Sequence, residues 1–394
     1  MSGGILRRIT LFPMKKWMLM IIVVGLISFI LWPAFFASSS DRAKVSQSFH
    51  QPALILAGID SLTNGPLYAA TKARYLDDFI PRIERAYGNG GPGYIPFDTR
   101  YFKQEGGLIG MSPGLREIRN IPKTSDPARF SFDLKGVFTR SGNMDNLTVQ
   151  IPEIWHYGKI FYLIQPQGGS FEVGYAGDAH FERVRTDGSR RLGVLNLPVH
   201  QQKSQLVIKQ IQGKVTLFGG YFYNSGGVIV SRVGQGGDRL AWYAGINHQM
   251  LKEWIAALQP NLFIFNGGMN DRRTLNATSY RKALDQYLNP FREADCQLIL
   301  TMPNAILGDN RTLDSYDKVL RDYAEKYHTG LVSNKEVLGA TFKLANKRHE
   351  MGDHIHPNAS GSRKISENMY HYIMNHAEFR SRLQGKTVQM NRQS

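Results

Sequence analysis

Leu54-Ile-Leu-Ala-Gly-Ile-Asp-Ser-Leu-Thr63 is an apolar run that ends in a polar turn. The apolar character of residues 52–59 predicts a buried strand, and Asp60 and Ser61 stand directly at its carboxyl end. In open sheets of parallel strands, ligands bind at the carboxyl ends of the strands. Ser61 therefore stands where a serine nucleophile is often presented, although an isolated Asp-Ser pair is more often a turn or a helix N-cap.

Strands and helices alternate along most of the chain. An amphipathic helix follows the first strand, because residues 75–83 place apolar side chains at three- and four-residue spacing. Further helices are predicted at residues 245–258, 279–294, 313–327 and 362–376, and further strands at residues 261–265, 297–302 and 330–333. This alternation is typical of an α/β fold with a mostly parallel sheet and helices on both faces.

Residues 126–228 show a different pattern, because their apolar residues recur with a period of two. Turn formers such as Gln167-Gly-Gly and Asp187-Gly separate the predicted strands of this segment, which are residues 130–134, 159–164, 170–175, 205–209 and 215–219. We expect an all-β insert whose strands form a sandwich.

The N-terminal region predicts a membrane anchor. Residues 17–37 are uncharged and apolar over about the length that spans a bilayer as a helix. The preceding residues contain no acid and four cations, which are Arg7, Arg8, Lys15 and Lys16. The positive-inside rule then places the N-terminus in the cytoplasm and the body of the protein outside. A cleaved signal peptide is the alternative, but Phe35-Phe36-Ala37 is a poor cleavage site.

Composition narrows the classes of partner. The chain has 48 Lys and Arg against 32 Asp and Glu, a formal net charge of +16, which favours an anionic partner. Nucleic acid is not expected, because the sequence shows no aromatic-basic RNA-binding signature, no paired Cys and His module and no basic recognition helix. An anionic polymer of the cell envelope suits an exported protein better. The single cysteine, Cys296, excludes an intramolecular disulfide and is interpreted as a core residue.

Asp353-His-Ile-His-Pro357 supplies the groups that a serine nucleophile requires. A serine hydroxyl is a weak nucleophile until an imidazole takes its proton and a carboxylate orients that imidazole. Asp353 and His356 are three residues apart in a predicted loop, so the carboxylate can accept from Nδ1 and leave Nε2 free for Ser61. His354 competes with His356 as the base. A metal site on this segment is a further alternative, but no other cluster completes a coordination sphere, and no metal or cofactor is expected.

Acyl transfer also requires hydrogen-bond donors for the negative charge that develops on the carbonyl oxygen. The candidates are the backbone N–H of Ser61, the N–H of Gly237 in Gly234-Gln-Gly-Gly237, and the side-chain amide of Asn270 in Gly267-Gly-Met-Asn-Asp271. Alone, the glycine segment is a flexible loop and a weak dinucleotide fingerprint, and Asn270 is a turn residue. Their conjunction with Ser61 and the histidine segment favours one shared site.

With these four segments the chain resembles the SGNH (GDSL-type) hydrolase superfamily, whose four blocks contribute Ser, Gly, Asn and His. Ser61, Gly237 and Asn270 match the first three blocks, and His356 with Asp353 matches the fourth. The order and approximate spacing agree over residues 52–376, the β insert excepted. The resemblance implies a three-layer, flavodoxin-like α/β fold. It also implies a triad of Ser61, His356 and Asp353 and an oxyanion hole of Ser61, Gly237 and Asn270.

More narrowly, the chain is similar to the exported O-acetylesterases and O-acetyltransferases of peptidoglycan and related glycans, which carry a carbohydrate-binding-like β sandwich between the first two blocks. The segments that carry this similarity are Tyr87-Gly-Asn-Gly-Gly-Pro-Gly-Tyr94, Phe161-Tyr-Leu-Ile-Gln-Pro-Gln-Gly-Gly-Ser-Phe171 and Leu217-Phe-Gly-Gly-Tyr221. The first block departs from the superfamily pattern, because Ile59 replaces the usual glycine and Gly58 stands one position early. We expect Ile59 to narrow the approach to Ser61.

The predicted organisation is a cytoplasmic stub at residues 1–16, a transmembrane anchor at 17–37, a linker at 38–48, the first part of the core at 49–125, the insert at 126–228, the second part of the core at 229–376 and a loose basic tail at 377–394. The expected protein is a serine esterase or acyltransferase that acts on acetyl esters of an extracytoplasmic glycan. The motifs do not separate these two activities. The alternative is an inactive, membrane-anchored glycan-binding protein with exposed rings at Trp155, His156 and Tyr157.

Overall fold

The computed structural model describes residues 48–65, 73–118, 127–139, 144–199 and 205–389. The large compact unit of the chain comprises Phe49–Val388. The predicted anchor at residues 17–37 lies outside the described residues, as does the predicted linker up to residue 47. Within the described ranges, no helix combines the length and the apolar content of a membrane span.

In chain order the described strands are β1 (Ser48–Gln51), β2 (Ala53–Ile59), β3 (Gly93–Pro96), β4 (Leu108–Met111), β5 (Leu115–Glu117), β6 (Val137–Thr139), β7 (Asp145–Gln150), β8 (Tyr157–Ile164), β9 (Ser170–Tyr175), β10 (Glu182–Arg185), β11 (Arg191–Asn196), β12 (Gln205–Gln212), β13 (Thr216–Tyr223), β14 (Val228–Gly234), β15 (Leu262–Asn266), β16 (Gln297–Met302), β17 (Gly330–Ser333) and β18 (Lys386–Gln389).

The described α-helices are α1 (Ser61–Asn64), α2 (Tyr75–Tyr87), α3 (Thr99–Glu105), α4 (Leu240–Tyr243), α5 (His248–Leu258), α6 (Ala277–Glu293), α7 (Arg311–Tyr327), α8 (Asn334–Leu338), α9 (Phe342–Lys347), α10 (Ala359–Asn375) and α11 (Ala377–Arg380). Short 3₁₀ turns lie at Ala128–Phe130, Asp271–Arg273 and Ser381–Leu383.

A parallel sheet with the strand order β14-β2-β15-β16-β17 forms the centre of the large unit. Counted along the chain, this is the 2-1-3-4-5 order of flavodoxin-like sheets. The prediction of an α/β fold with a mostly parallel sheet is confirmed. The sequence patterns predict no strand at the edge strand β14, although residues 229–234 fall in the predicted second part of the core.

Alternation along the central strands produces the two helical layers, since successive side chains of a strand point to opposite faces. In β2, Leu54 and Leu56 belong to an apolar cluster with residues of α5, α6 and α7. Ile55 and Ala57, which alternate with these two residues along the strand, belong to a cluster with residues of α2 and α10. The sheet is therefore covered on both faces, and the architecture has three layers.

Between β2 and β14 the chain forms an antiparallel sandwich. One sheet has the order β10-β9-β12-β7-β4, and the other has the order β11-β8-β13-β6-β5 with β3 paired to β13. Apolar side chains from both sheets share one buried cluster, for example Val149, Ile160, Phe171 and Ile208. The structure contains the expected β insert, but the predicted start at residue 126 is wrong. Strands β3, β4 and β5 precede that residue and pair with strands that follow it.

Two other predicted segments differ from the structure. Residues 130–134 do not form a strand, because Ala128–Phe130 is a 3₁₀ turn and the chain then folds tightly, with the hydroxyl of Ser131 donating to Asp133 Oδ1 at 2.7 Å. The tail is not loose at its start, since Phe379 is only 2% exposed and joins the cluster beside α10. In both cases buried side chains override the local pattern.

One face of the six-stranded sheet packs directly on α5. The indole of Trp254 is fully buried, and its centroid lies 5.7 Å from the ring of Tyr94, 4.8 Å from that of Phe161 and 5.4 Å from that of Phe218. Its Nε1–H donates to the carbonyl oxygen of Phe130 at 2.8 Å. The insert and the central domain therefore share an apolar core, and the position of one fixes the position of the other.

The three rings expected to form a glycan-binding surface are not exposed together. Trp155 has no exposed surface. Tyr157 is half-buried and stacks on Tyr223 with 5.4 Å between centroids, and the Nδ1–H of His156 donates to Asn224 Oδ1 at 2.7 Å. The expectation of an exposed ring is wrong for Trp155, so the binding-only alternative loses its main support.

Candidate active site

Ser61 begins α1 at the carboxyl end of β2. Asp60 is the N-cap residue of this short helix, and its Oδ1 accepts the N–H of Leu62 at 3.0 Å. A capping carboxylate satisfies a backbone donor that has no partner inside the helix, which explains why the chain turns here. Ser61 is 6% exposed, and its hydroxyl faces the imidazole of His356.

Ile59 does not line the approach to Ser61. Its side chain has no exposed surface and lies in the apolar core shared with α5 and α6. The backbone of Gly267 passes close by, so that a Cβ at position 267 would lie 3.2 Å from Ile59 Cγ1. A side chain directed into the core does not narrow an open path, and the expectation for Ile59 is not supported.

The loop between α9 and α10 brings an imidazole and a carboxylate to Ser61. The Oγ of Ser61 lies 2.8 Å from Nε2 of His356, although the two residues are 295 positions apart. The Nδ1 of His356 lies 2.8 Å from Oδ2 of Asp353. With an ionised carboxylate at Nδ1, that nitrogen carries the proton and Nε2 accepts from the serine hydroxyl. The three predicted triad residues are therefore in contact in the predicted order.

The carboxylate of Asp353 is fixed by more than the imidazole. Its Oδ1 accepts the backbone N–H of Ile355 at 2.7 Å and that of His356 at 2.6 Å. Partial burial alone would raise the pKa of Asp353, but the hydrogen bonds from these two residues outweigh it and hold the pKa below its usual value. The group is therefore ionised at neutral pH and can stabilise an imidazolium beside it.

His354 is exposed and does not contact Ser61. Its backbone carbonyl accepts the N–H of Leu307 at 2.9 Å, and its ring lies near that of Phe342, with 6.5 Å between centroids. Of the two candidate bases, the geometry therefore favours His356. No group of three or more His, Cys, Asp and Glu side chains in the described part of the chain is arranged to hold a metal ion.

Gly237 lies in a tight turn that follows β14. It is exposed and has φ of 91°, a left-handed conformation that glycine adopts without strain. The carboxylate of Asp238 holds the turn together, because its Oδ2 accepts the N–H of Gln235 at 3.1 Å and the hydroxyl of Tyr243 at 2.7 Å. The turn thus exposes the backbone of Gly237 to solvent, while the side chain of Asp238 that holds the turn together is buried.

Asn270 follows β15 and joins the second block to the third. Its Nδ2 donates to the backbone carbonyl of Asp238, the residue after Gly237, at 2.9 Å. One N–H of the amide serves this bond and the other remains for a ligand. Within the described residues, the backbone N–H groups of Ser61 and Gly237 donate no hydrogen bond to the protein. These are the three donors predicted for a developing oxyanion.

Each of the first three blocks also contributes a buried aspartate next to its site residue, namely Asp60, Asp238 and Asp271. Asp271 fixes the start of α4, since its carboxylate accepts the N–H of Leu240 at 2.8 Å and that of Ala241 at 3.0 Å. The sequence patterns assign no structural role to these carboxylates. The available signal was the repetition of an acidic residue directly beside the serine, the glycine and the asparagine.

Burial raises the pKa of all three aspartates. The pKa of Asp60 rises to about 8, because desolvation and the nearby carboxylates of Asp271 and Asp238 outweigh the hydrogen bond from Leu62. The pKa of Asp238 rises to about 7, with Lys135 acting in the opposite direction. Burial also raises the pKa of Asp271. These groups hold the loops of the site in place and are less acidic than ordinary carboxyls.

Comparison with known proteins agrees with this geometry. Residues 216–364 match the model of the GDSL-like lipase/acylhydrolase family. No curated protein matches the sequence of the chain. The family model confirms the resemblance to the SGNH superfamily over residues 216–364, which contain Gly237, Asn270 and His356.

Among solved structures, one described as a peptidoglycan O-acetylesterase in action has a TM-score of 0.63 and 17% sequence identity, and the match covers 84% of this chain and 92% of that one. A GDSL-like lipase from Parabacteroides merdae, itself described as putative, has a TM-score of 0.30 at 21% identity over 36% of this chain and 71% of that one. A variant of an acetyl xylan esterase from Geobacillus stearothermophilus has 0.31 at 19% identity over 37% and 72%. The first match shows a shared fold, and the other two are too distant to add to it.

Proposed function

We propose that this chain, which carries the GDSL-like lipase/acylhydrolase match over residues 216–364, is a serine esterase or acyltransferase that acts on acetyl esters of an extracytoplasmic, peptidoglycan-type glycan. The observation that carries the proposal is the continuous hydrogen-bond chain from Ser61 Oγ through His356 to Asp353, with 2.8 Å at each step. A serine, an imidazole and an ionised carboxylate in this order form an activated nucleophile.

The first half-reaction follows from this arrangement. Oγ of Ser61 attacks the ester carbonyl carbon while Nε2 of His356 takes the hydroxyl proton. The carbonyl π electrons move to oxygen and form a tetrahedral oxyanion. When the C–O bond to the sugar breaks, the imidazolium returns the proton to the departing alkoxide. The products are a free sugar hydroxyl and an acetyl group on Ser61.

The oxyanion is bound by the three donors described above. The N–H groups of Ser61 and Gly237 have no hydrogen-bond acceptor among the described residues, and Asn270 has a second amide hydrogen. Losing one such donor lowers kcat by about 10²–10³ in enzymes of this chemistry. The bond from Asn270 to the Asp238 carbonyl holds the Asn270 amide and the turn of Gly237 in place before substrate arrives. Little reorganisation is therefore required in the transition state.

Three observations support a glycan of the cell envelope as substrate. The likeness to the peptidoglycan O-acetylesterase structure extends over 84% of this chain, and so beyond the length of the family-model match. Of the net charge of +16, the predicted cytoplasmic stub accounts for +4, and the remaining +12 on residues 41–394 favours an acidic polymer. The predicted anchor at residues 17–37, with its cationic flank, favours an extracytoplasmic body. The location and the glycan remain proposals that rest on these features.

The second half-reaction distinguishes the two activities. Attack on acetyl-Ser61 by water releases acetate and makes the protein an esterase, whereas attack by a sugar hydroxyl makes it a transferase. Both use His356 as the base for the second nucleophile, so the described residues serve either reaction equally well. Acetate release from acetylated glycan should therefore be compared with acetyl transfer from an activated ester to deacetylated glycan.

The proposal is tested with the purified full chain and a chromogenic aryl acetate. We expect wild-type protein to turn over, and Ser61→Ala and His356→Ala to lose turnover. Ser366, a fully buried serine of α10, provides a matched control, because Ser366→Ala removes a buried hydroxyl outside the triad. Mass spectrometry of quenched protein should find one acetyl group on Ser61. Absence of that adduct with both the aryl ester and acetylated glycan would refute the proposal.

A further inference from the structure

A buried lysine of the insert reaches the loop that carries Gly237. Lys135 is 3% exposed, and its Nζ donates to the backbone carbonyl of Gly234, the last residue of β14. Its Nζ also lies 3.9 Å from Oδ2 of Asp133. Burying an ammonium group is costly unless it is paired and hydrogen-bonded. Because Lys135 is buried, it does not contribute to a charged, soluble surface, and its role must lie in the contacts that it makes inside the protein.

The surroundings of Lys135 connect it to the oxyanion turn at both ends. At one end is the carbonyl of Gly234, and at the other is the turn residue Asp238, whose acidity Lys135 increases through its charge. The carboxylate of Asp238 accepts the N–H of Gln235 and the hydroxyl of Tyr243. The ammonium of Lys135 thus donates to the first residue of the turn, and its charge favours the ionised form of Asp238.

The lysine itself is held in a rigid segment. The hydroxyl of Ser131 donates to Asp133 Oδ1 at 2.7 Å, and the backbone N–H of Lys135 donates to Ser131 Oγ at 3.1 Å and to Asp133 Oδ1 at 3.2 Å. This segment is anchored on the central domain through the bond from Trp254 Nε1 to the Phe130 carbonyl. These hydrogen bonds hold the backbone at Lys135 and so fix the position of its side-chain charge.

The turn requires such support because of its composition. Gly234, Gly236 and Gly237 make up three of its first four residues, and Gly234 and Gly237 have φ of 83° and 91°. Glycine populates both signs of φ, so a run rich in glycine has no single preferred conformation. Hydrogen bonds from outside this run, at Gly234 and Gln235, therefore select the conformation of the turn around Gly237.

We propose that Lys135 is a positioning residue for the oxyanion hole, and that the insert contributes it so that the turn carrying Gly237 is fixed before substrate binds. The proposal rests on the proposed function, since it concerns the same site. Lys135 is buried and donates to the carbonyl of Gly234, so it acts through the turn and not by touching substrate.

The test is steady-state kinetics of full-length Lys135→Met with the chromogenic acetate. Methionine has a similar length and lacks the charge. Misplacing a catalytic group by about 1 Å can lower the rate by about 10²-fold, so we expect kcat to fall about 10- to 100-fold with little change in KM. A variant with wild-type kcat, or with only a raised KM, would overturn the proposal.

Lys159→Met is the matched control. Lys159 also belongs to the insert, and its Nζ also donates to a backbone carbonyl of the central domain, that of Ala257 in α5, at 3.3 Å. It does not contact the turn of Gly237 or the triad within the described residues. We expect wild-type kcat for this variant. An equal loss of kcat in both variants would mean that the insert is merely loosened, and would overturn the specific role of Lys135.

A second variant keeps the test decisive if Lys135→Met fails to fold, since removing the cation from a buried pair is strongly destabilising. The double variant Asp133→Asn with Lys135→Met removes one buried carboxylate together with the ammonium, and Asp133→Asn alone is its control. The same loss of kcat is expected in the double variant, and wild-type kcat there would overturn the proposal. Inactive wild-type protein refutes the proposed function itself, whereas an active wild type beside an equally active Lys135→Met refutes only this inference.

Discussion

Replacing Asp353 with asparagine separates catalysis from folding at this site. The Asp353 carboxylate makes three contacts, and Oδ1 accounts for two of them by accepting the N–H groups of Ile355 and His356. An asparagine carbonyl in the same place keeps both of these bonds. The third contact changes, because an amide NH₂ replaces Oδ2 at 2.8 Å from Nδ1 of His356. The NH₂ group donates to Nδ1 and so forces the proton onto Nε2, which can then no longer accept from Ser61.

The size of the effect follows from how accessible the carboxylate is. Where a triad aspartate is fully buried, the equivalent change lowers kcat by about 10⁴. The side chain of Asp353 is 40% exposed, so water can partly stabilise the correct tautomer after the change. We therefore expect a loss in kcat between about 10² and 10⁴, with KM for a small ester nearly unchanged because the substrate does not touch Asp353.

The assay is hydrolysis of the chromogenic acetate by wild type, Asp353→Asn and the control His354→Ala. His354 is the exposed neighbour that does not contact Ser61, and its loss should leave kcat unchanged. Thermal unfolding of all three proteins checks that the loop is intact. If Asp353→Asn retains most of the wild-type kcat while folded, Asp353 does not orient the base and the triad assignment is wrong.

Three further predictions concern the oxyanion donor, a buried carboxyl and the C-terminal segment. Asn270→Ala should lower kcat by about 10²–10³, and near-wild-type kinetics would exclude its amide as a donor. Asp60→Asn keeps an acceptor for the N–H of Leu62 but cannot titrate. In the wild type, folded Asp60 keeps its proton up to its raised pKa of about 8, above the ordinary value of 3.8. Since the unfolded chain releases that proton, wild-type stability should fall relative to the variant as pH rises from about 4 to about 8, and parallel denaturant-unfolding curves would contradict this. Phe379→Ala should lower the free energy of unfolding by about 3–5 kcal/mol, whereas the exposed neighbour change Glu378→Ala should have little effect; equal stability of both would restore the prediction of a loose tail.

The central sheet could be predicted from sequence because its strands are buried on both faces. The segments at β2, β15 and β16 are short, nearly continuous apolar runs bounded by turn residues, and this is how strands of covered parallel sheets read. The triad could be predicted for a related reason. Ser61 directly follows a predicted strand, and Asp353 and His356 supply the carboxylate and the imidazole that a serine nucleophile requires.

The rest of the fold depends on contacts that no local pattern encodes. Strands β3 and β4 are four residues long, and each pairs with a strand far along the chain, so the start of the insert could not be located from periodicity. Lys135 is a charged residue directly after the predicted strand at residues 130–134, and nothing in its neighbours indicates that it is 3% exposed. Its role can be recognised only in the structure, where its Nζ donates to the carbonyl of Gly234, 99 positions away in the chain.

The position of the insert in the chain gives it a direct influence on the site. From β13, the last strand of the sandwich, the chain continues into β14 of the central sheet, and β14 ends at the turn that carries Gly237. A displacement of the sandwich must therefore either break its shared core with Trp254 or move the oxyanion turn. For the same reason, a fragment of residues 126–228 is not an independent module, because it lacks β3, β4 and β5 and exposes the face that packs on α5. Binding of a glycan by the sandwich has to be measured on the full chain, where its consequence for kcat can be measured as well.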